Sequence, residues 1–385
     1  MIRESADRPA LLVAGHLYSG WTDIRVTRGL EQASSAFALG IARGWDGLRE
    51  AWPVLPFARV ELRFGDDLVV TGHVDRLDGS IDASASSASV SGRSLTGDLV
   101  DCMPEIAGTE FRRTTLPAIA RALAAPLGIE VVEEADCGAP FQVERFERTD
   151  TAWQVIERLA RMRGILATDD ARGRVVLTRA LARRAASGLI LGQNIVSASA
   201  EINGAKRFRK YIVLSQAPSF AARQVDVDGA AELPGGGAQP SIVATAEDPE
   251  VPRNRTRVLR AEGDGTASDA RARALWTAAT SRSQGMAVRV VVAGWRQADG
   301  RLWQVNEVAF TSIPWLQLEA DLLVKEVEFA LGAKTGRRTT LTLTPPAALL
   351  PEPIAAPPAG RGAGQAGRLI WGPRGTFARE RATAE

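Results

Sequence analysis

The chain has 385 residues, 45% hydrophobic and 24% charged, a globular composition that at about 100–200 residues per domain makes two to four domains. Forty-seven basic against 45 acidic residues leave a net charge of +2, which excludes a globally basic nucleic-acid binder. Two histidines (His16, His73) and two cysteines (Cys102, Cys137) exclude a disulfide scaffold and offer no ligand pair at metal-site spacing, so neither metal nor cofactor is expected. Residues Met1 to Asp7 lack the apolar stretch of a signal peptide, and no apolar run approaches the ~18 residues of a membrane span. A soluble chain without a membrane partner is expected.

In chain order, residues 1–105 read as a β-barrel-like domain. Ile24 and Val26, then Phe37, Leu39 and Ile41, recur at every second position, as half-buried strands require. Val60 to Phe64 and Leu68 to Gly72 flank Gly65-Asp66-Asp67, a hairpin signal. Ser84 to Ser94 alternates weakly around Val90 and reads as a further strand. Residues 106–180 change character and predict an α/β insertion of two helix–strand units. Thr114 or Thr115 caps the first helix, with Pro117 in its first turn and Ile119, Leu123 and Leu127 at helical spacing before Gly128. Asp150 caps the second, with Trp153, Ile156, Leu159 and Ala160 as its apolar stripe and Gly164 at its end.

Residues 181–345 resume β-structure and predict a second barrel-like domain. Its strand candidates are Ile195, Tyr211 to Leu214, Val288 to Val292, Trp303 to Val305, Leu322 to Val324 and Leu341 to Leu343. A loop over 217–247 and a helix over about 268–284 interrupt it. Residues 346–385 form an extended Pro/Gly/Ala-rich arm in which Trp371 is the docking anchor. The fold class is therefore mainly β with an α/β insertion.

Few residues suggest chemistry. Gly92-Arg93-Ser94-Leu95-Thr96-Gly97, with Asp98 near and His73 upstream, holds the members of an acyl-transfer triad. The second glycine comes three residues after the serine, where a nucleophile elbow needs it after two. The alternative is a strand end in which Ser91 and Ser94 satisfy backbone groups. Asp66-Asp67 reads as a hairpin tip, and Asp75, Asp78 and Gly79 lack the glutamate that closes a calcium loop. The glycines at 235–237 and 263–265 lack the Lys-Ser/Thr of a phosphate loop. Arg253, Arg255 and Arg257 fall on one face of an extended segment, and Arg207, Arg209 and Lys210 form a second basic group. With no interleaved aromatic apparent, they read as solvated or interchain ion-pairing faces.

Several segments, in collinear order over about residues 20–345, resemble the baseplate hub proteins of Mu-like contractile-tailed phages. They are Val70 to Asp75, Val90 to Cys102 with Ser91-Gly92-Arg93-Ser94 and Gly97-Asp98, Asn194 to Ala198, Arg207 to Tyr211, Ala293 to Trp295, and Leu302 to Asn306. The resemblance implies a structural, non-enzymatic homotrimer in the virion tail baseplate, assembled in the bacterial host cytoplasm. Each chain would bring two related β-barrel domains to a ring that joins the six-fold tail tube to the three-fold central spike. Tube, spike and baseplate wedge proteins would be its partners, with the tape-measure protein or DNA passing through the lumen. Two other readings compete: a tail-associated hydrolase using Ser94, and a glycan- or receptor-binding β-protein using the nine tryptophans.

Overall fold

The computed structural model describes residues 7–42, 54–81, 86–180, 183–216, 242–264 and 267–349, together with the pairs 370–371 and 377–378. The first block holds seven strands: β1 Pro9–Val13, β2 His16–Ser19, β3 Asp23–Gly29, β4 Ala36–Ala42, β5 Arg59–Phe64, β6 Asp67–Ile81 and β7 Ser86–Ser94. Alternation places Ile24, Val26, Phe37, Leu39, Val60, Leu62 and Phe64 inward. The β5–β6 hairpin closes through Gly65 at φ +62.

A first α/β insertion follows. It holds α1 Gly97–Asp101, β8 Glu110–Thr114, α2 Leu116–Ala124, β9 Val131–Glu133, β10 Phe141–Arg145, α3 Ala152–Met162, β11 Leu166–Asp169 and β12 Val175–Thr178. Helix α2 starts on Leu116-Pro117 and buries Leu116, Ile119, Ala120 and Leu123. Helix α3 buries Trp153, Val155, Ile156 and Leu159. Its cap is Thr151 rather than Asp150, because Thr151 and Gln154 form a reciprocal capping box. The Asp150 carboxylate instead accepts from the Glu147 N–H at 3.0 Å in the preceding turn.

The chain then returns to the main sheet with β13 Leu189–Ile190 and β14 Ile195–Ile202, and leaves it again. Strands β15 Lys210–Gln216, β16 Ile242–Glu247 and β17 Thr256–Asp264 form a separate sheet ordered β16-β15-β17, covered by α4 Ala267–Gln284. This corrects two expectations. Tyr211 to Leu214 belong to this second insertion, not to a resumed barrel. The loop expected through 247 ends at a strand that buries Ala244 and Ala246; its remainder, 217–241, lies outside the described residues.

Strands β18 Met286–Ala293, β19 Val308–Ile313, β20 Leu318–Gly332 and β21 Gly336–Thr344 complete the main sheet. Trp303 to Val305, expected as a strand, form a turn region in which Trp303 is buried. The arm begins later than expected, since Pro346–Leu349 form a 3₁₀ turn and Leu349 packs on Leu30 and Leu323. Beyond it only one strand pair is described, β22 Ile370–Trp371 against β23 Phe377–Ala378. The rest of the arm lies outside the described residues.

The two β-rich blocks share one 13-stranded sheet, with the main path β14-β18-β21-β20-β3-β4-β7-β6-β5-β1-β2. They join where β20 pairs antiparallel with β3, Glu326 opposite Gly29 through Leu331 opposite Ile24. They also share one core, in which Trp295 stacks on Phe64 at 3.9 Å and Phe329 meets Phe64 edge-on at 5.6 Å. Arg296 fixes the same junction, donating to Asp7 at 2.5 Å and Asp67 at 2.6 Å. Asp67, expected only as a turn residue, is thus also a clamp between sequence-distant blocks.

Candidate functional site

The Ser91–Asp98 segment lies at the joint between the first β-block and the first insertion. Strand β7 runs into α1 through Ser94-Leu95-Thr96. Strands β6 and β7 approach so closely there that side chains are excluded. A Cβ on Gly72 would fall 1.8 Å from the Arg93 carbonyl oxygen, and one on Gly92 would fall 2.0 Å from that of His73. Gly92 thus serves close backbone contact, and Gly72 is a partner that sequence reasoning missed.

Register separates the three triad candidates. His73 lies opposite Arg93 and Gly72 opposite Ser94, so His73 and Ser94 project from opposite faces of the sheet. His73 Nδ1 sits 3.5 Å from Asp98 Oδ2 on the exposed side. Ser94 is 2% exposed on the other. Its Oγ lies 2.7 Å from Thr96 Oγ1 and 2.9 Å from Ser34 Oγ. With the histidine on the far face, Ser94 does not form the serine–histidine pair that an acyl-transfer triad requires.

On the exposed face Arg93 is the organiser. Its guanidinium donates to Asp75 at 2.8 Å and to Asp101 at 2.6 Å, and this hydrogen bond holds the Asp101 carboxyl below the usual aspartate range. On the buried face the insertion is fastened by Asp169, which sequence reasoning did not single out. Its carboxylate accepts from the Ser35 N–H and hydroxyl, each at 2.8 Å, while Thr168 donates to the Gly29 carbonyl at 2.8 Å. Burial pushes the Asp169 carboxyl up, against the opposing pull of Arg28 and of hydrogen bonds from Ser94 and Ser35. At Gly173 a Cβ would come within 2.8 Å of the Thr71 carbonyl oxygen and of Leu95. The segment is therefore a tight structural joint.

The arginine groups divide. Arg207 is an internal residue: it donates to the buried Asp248 at 2.7 Å and to Glu250 at 2.9 Å. Arg255 donates to the carbonyls of Gly204 and Ala205 at 3.2 and 2.8 Å. It also stacks over Phe208 at 4.6 Å, with Arg257 over the same ring at 5.7 Å. Phe208, which lies between Arg207 and Arg209 in sequence, is thus an interleaved aromatic and corrects the expectation of none. These contacts spend Arg207 and Arg255 within the chain. Arg209 and Arg253 are exposed and without carboxylate partners among the described residues. Ile370–Trp371 pairs with Phe377–Ala378; the contacts of the Trp371 side chain fall outside the description. Among the described residues no group of three or more His, Cys, Asp and Glu side chains is placed to hold a metal, and no helix is long and apolar enough to cross a membrane.

Three family models match in chain order. Residues 10–94 match the N-terminal domain of the Mu phage baseplate assembly protein GpP-like family, and residues 96–179 match the second domain of the baseplate hub protein gp44-like family. Residues 266–352 match the fourth domain of Mu phage baseplate assembly protein GpP. The baseplate hub protein gp44 of Escherichia phage Mu is 31% identical over 339 residues, 86% of each chain. The chain belongs to the Mu gp44-like family of baseplate hub proteins. Solved relatives of this hub include the 43 kDa tail protein of prophage MuSo2 from Shewanella oneidensis, at 31% identity and a TM-score of 0.75 over 89% of this chain and 99% of that one. A tail protein from Neisseria meningitidis shares the fold at 20% identity and a TM-score of 0.69, covering 90% and 98%. The E. coli type VI secretion component c3393, described as similar to T4 tail proteins gp27 and gp5, shares it at 9% identity and 0.53, covering 91% and 79%.

Proposed function

We propose that this hub protein is a structural, non-enzymatic element of a contractile-tail baseplate. Three copies close into a ring that joins the six-fold tail tube to the three-fold central spike. The observation that carries this reading is the path β14-β18-β21-β20-β3-β4-β7-β6, in which every neighbouring pair is antiparallel. Both ends are bare edges among the described residues. β14 pairs along its length with β18 alone, apart from one bridge between Ile195 and Leu191. β5 leaves β6 at Arg59 opposite His73, so Arg76 to Ile81 pair only with β7, and Asp75 is the bulged residue before them. Bare edges invite strand addition unless covered.

Rotation about an axis leaves each strand's sense along that axis unchanged. An even number of antiparallel strands therefore presents β14 of one copy antiparallel to β6 of the next, and the contact repeats head to tail until the ring closes. Each copy supplies two four-strand halves, β14-β18-β21-β20 and β3-β4-β7-β6. Three copies thus offer six comparable units to a six-fold tube. On this reading the chain sits in the virion tail baseplate, contacting tube, spike and wedge proteins around a lumen for the tape-measure protein or DNA. No observation at Ser94 favours the hydrolase, and none favours a glycan site.

Sedimentation and negative-stain imaging of the full chain, alone and with its spike, test the ring. A trimer with a central opening is expected in at least the second condition. A monomer in both overturns the proposal.

A further inference from the structure

The edges that the ring brings together carry opposite charge. Beyond the end of β14, the turn into β15 presents Lys206 and Arg209, and Arg253 stands beside it on the approach to β17. The turn is held rigid from within. Arg255 grips its carbonyls and stacks with Arg257 on Phe208, and the Asp248 N–H donates to the Arg209 carbonyl at 2.9 Å. Lys206, Arg209 and Arg253 are exposed, and no carboxylate pairs with them among the described residues.

The other edge is acidic. Where β6 becomes bare, Asp75 and Asp101 share the single guanidinium of Arg93, Asp98 faces His73, and Glu105 follows on the exposed segment after α1. The three aspartates are about half exposed, with side-chain exposures of 42%, 45% and 53%.

We propose that the basic turn of one copy docks on this acidic corner of the next, so that Lys206, Arg209 and Arg253 complete the neutralisation that Arg93 begins. The inference rests on the ring reading above. In a full antiparallel overlap of β14 with Asp75–Ile81, Ile202 falls beside Asp75, and the residues after Ile202 run on past it. That direction leads past His73, whose imidazole meets Asp98 of α1 at 3.5 Å. The occupant of each patch is a second copy of this chain: the complementary charge lies on the opposite edge of the same sheet, continuous with a bare strand. Such pairing selects the correct edge and suppresses like-edge contacts.

The test is charge reversal in the full chain. R209E/R253E and D98R/E105R are each expected to weaken self-association at least about tenfold at 0.15 M salt, the first without a change in melting temperature. The quadruple variant, with both faces reversed, is expected to regain the trimer. Wild-type assembly is expected to weaken as salt rises. If wild type assembles and both double variants assemble equally well, this pairing is wrong while the ring stands. If wild type never assembles, with or without the spike, both readings fall. If wild type is retained on duplex DNA and R209E/R253E is not, with sedimentation unchanged, the patch reads nucleic acid and the pairing is overturned.

Discussion

The two α/β insertions solve one problem in different ways. Each lays helix against a small sheet containing a parallel strand pair, β9–β12 in the first and β15–β17 in the second. The first fills the gap with large side chains: Trp153, Ile156, Leu159, Leu116 and Ile119 meet Val175 and Leu177. The second closes the gap instead. Its helix contributes Ala270, Ala274 and Ala278 against Tyr211, Val213, Ala244 and Ala246, and short side chains let backbones approach. Stability in the first should come from apolar area, roughly 25 cal/mol per Å². In the second it should come from fit. Their buried carboxylates differ too. Asp248 is neutralised by Arg207 at 2.7 Å, whereas Asp169 has no ion-pair partner within 4 Å among the described residues and accepts from the Ser35 N–H and hydroxyl.

That contrast can be broken by experiment. The largest effect is expected from Leu159→Ala, which empties a fully buried site in the first insertion and should cost about 2–5 kcal/mol in urea unfolding. A loss below about 1 kcal/mol would mean that the first core is no better filled than the second. Next comes Ala274→Leu. At a fully buried alanine facing a close sheet, added volume should destabilise by about 1–3 kcal/mol. A gain in stability there would reveal unfilled space and remove the distinction.

The smallest effect is one of pH. Burial raises the Asp169 carboxyl, so the folded chain holds this proton more tightly than the unfolded chain. Its stabilising contribution is complete below the ordinary aspartate value of about 3.9 and is lost as pH rises through the raised folded value. Asp169→Asn should therefore gain melting temperature relative to wild type as pH rises above about 4. A difference independent of pH would contradict the assignment.

These contrasts also explain what the sequence disclosed. Period-two alternation was plain at Ile24, Val26, Phe37 and Leu39, and helical spacing was plain in α2 and α3, because large residues mark a buried face. In α4 the buried face is alanine, which occurs on any face of a helix, so the helix was legible but its packing was not. Strand β16 was lost in the expected loop for the same reason, since Ala244 and Ala246 carry little hydrophobic signal. The resemblance carried by Ser91 to Asp98 found a joint that spacing alone suggested as a weak triad. Its partners, Gly72, Ser35 and Asp169, come from elsewhere in the chain and become visible only through register. Ion pairs such as Arg207–Asp248 and Arg296–Asp67 likewise join residues that no local pattern connects.

The β20–β3 pairing has a temporal consequence. Residues such as Gly29 and Glu326 lie about 300 positions apart, and at 5–20 residues per second a ribosome needs about 15–60 s to bridge them. Throughout that interval β3 lacks its β20 neighbour, while each insertion can already close on strands drawn from its own stretch of chain. Maturation of the sheet is thus delayed until synthesis is nearly complete. Fragments released early would expose β3 as an adhesive edge.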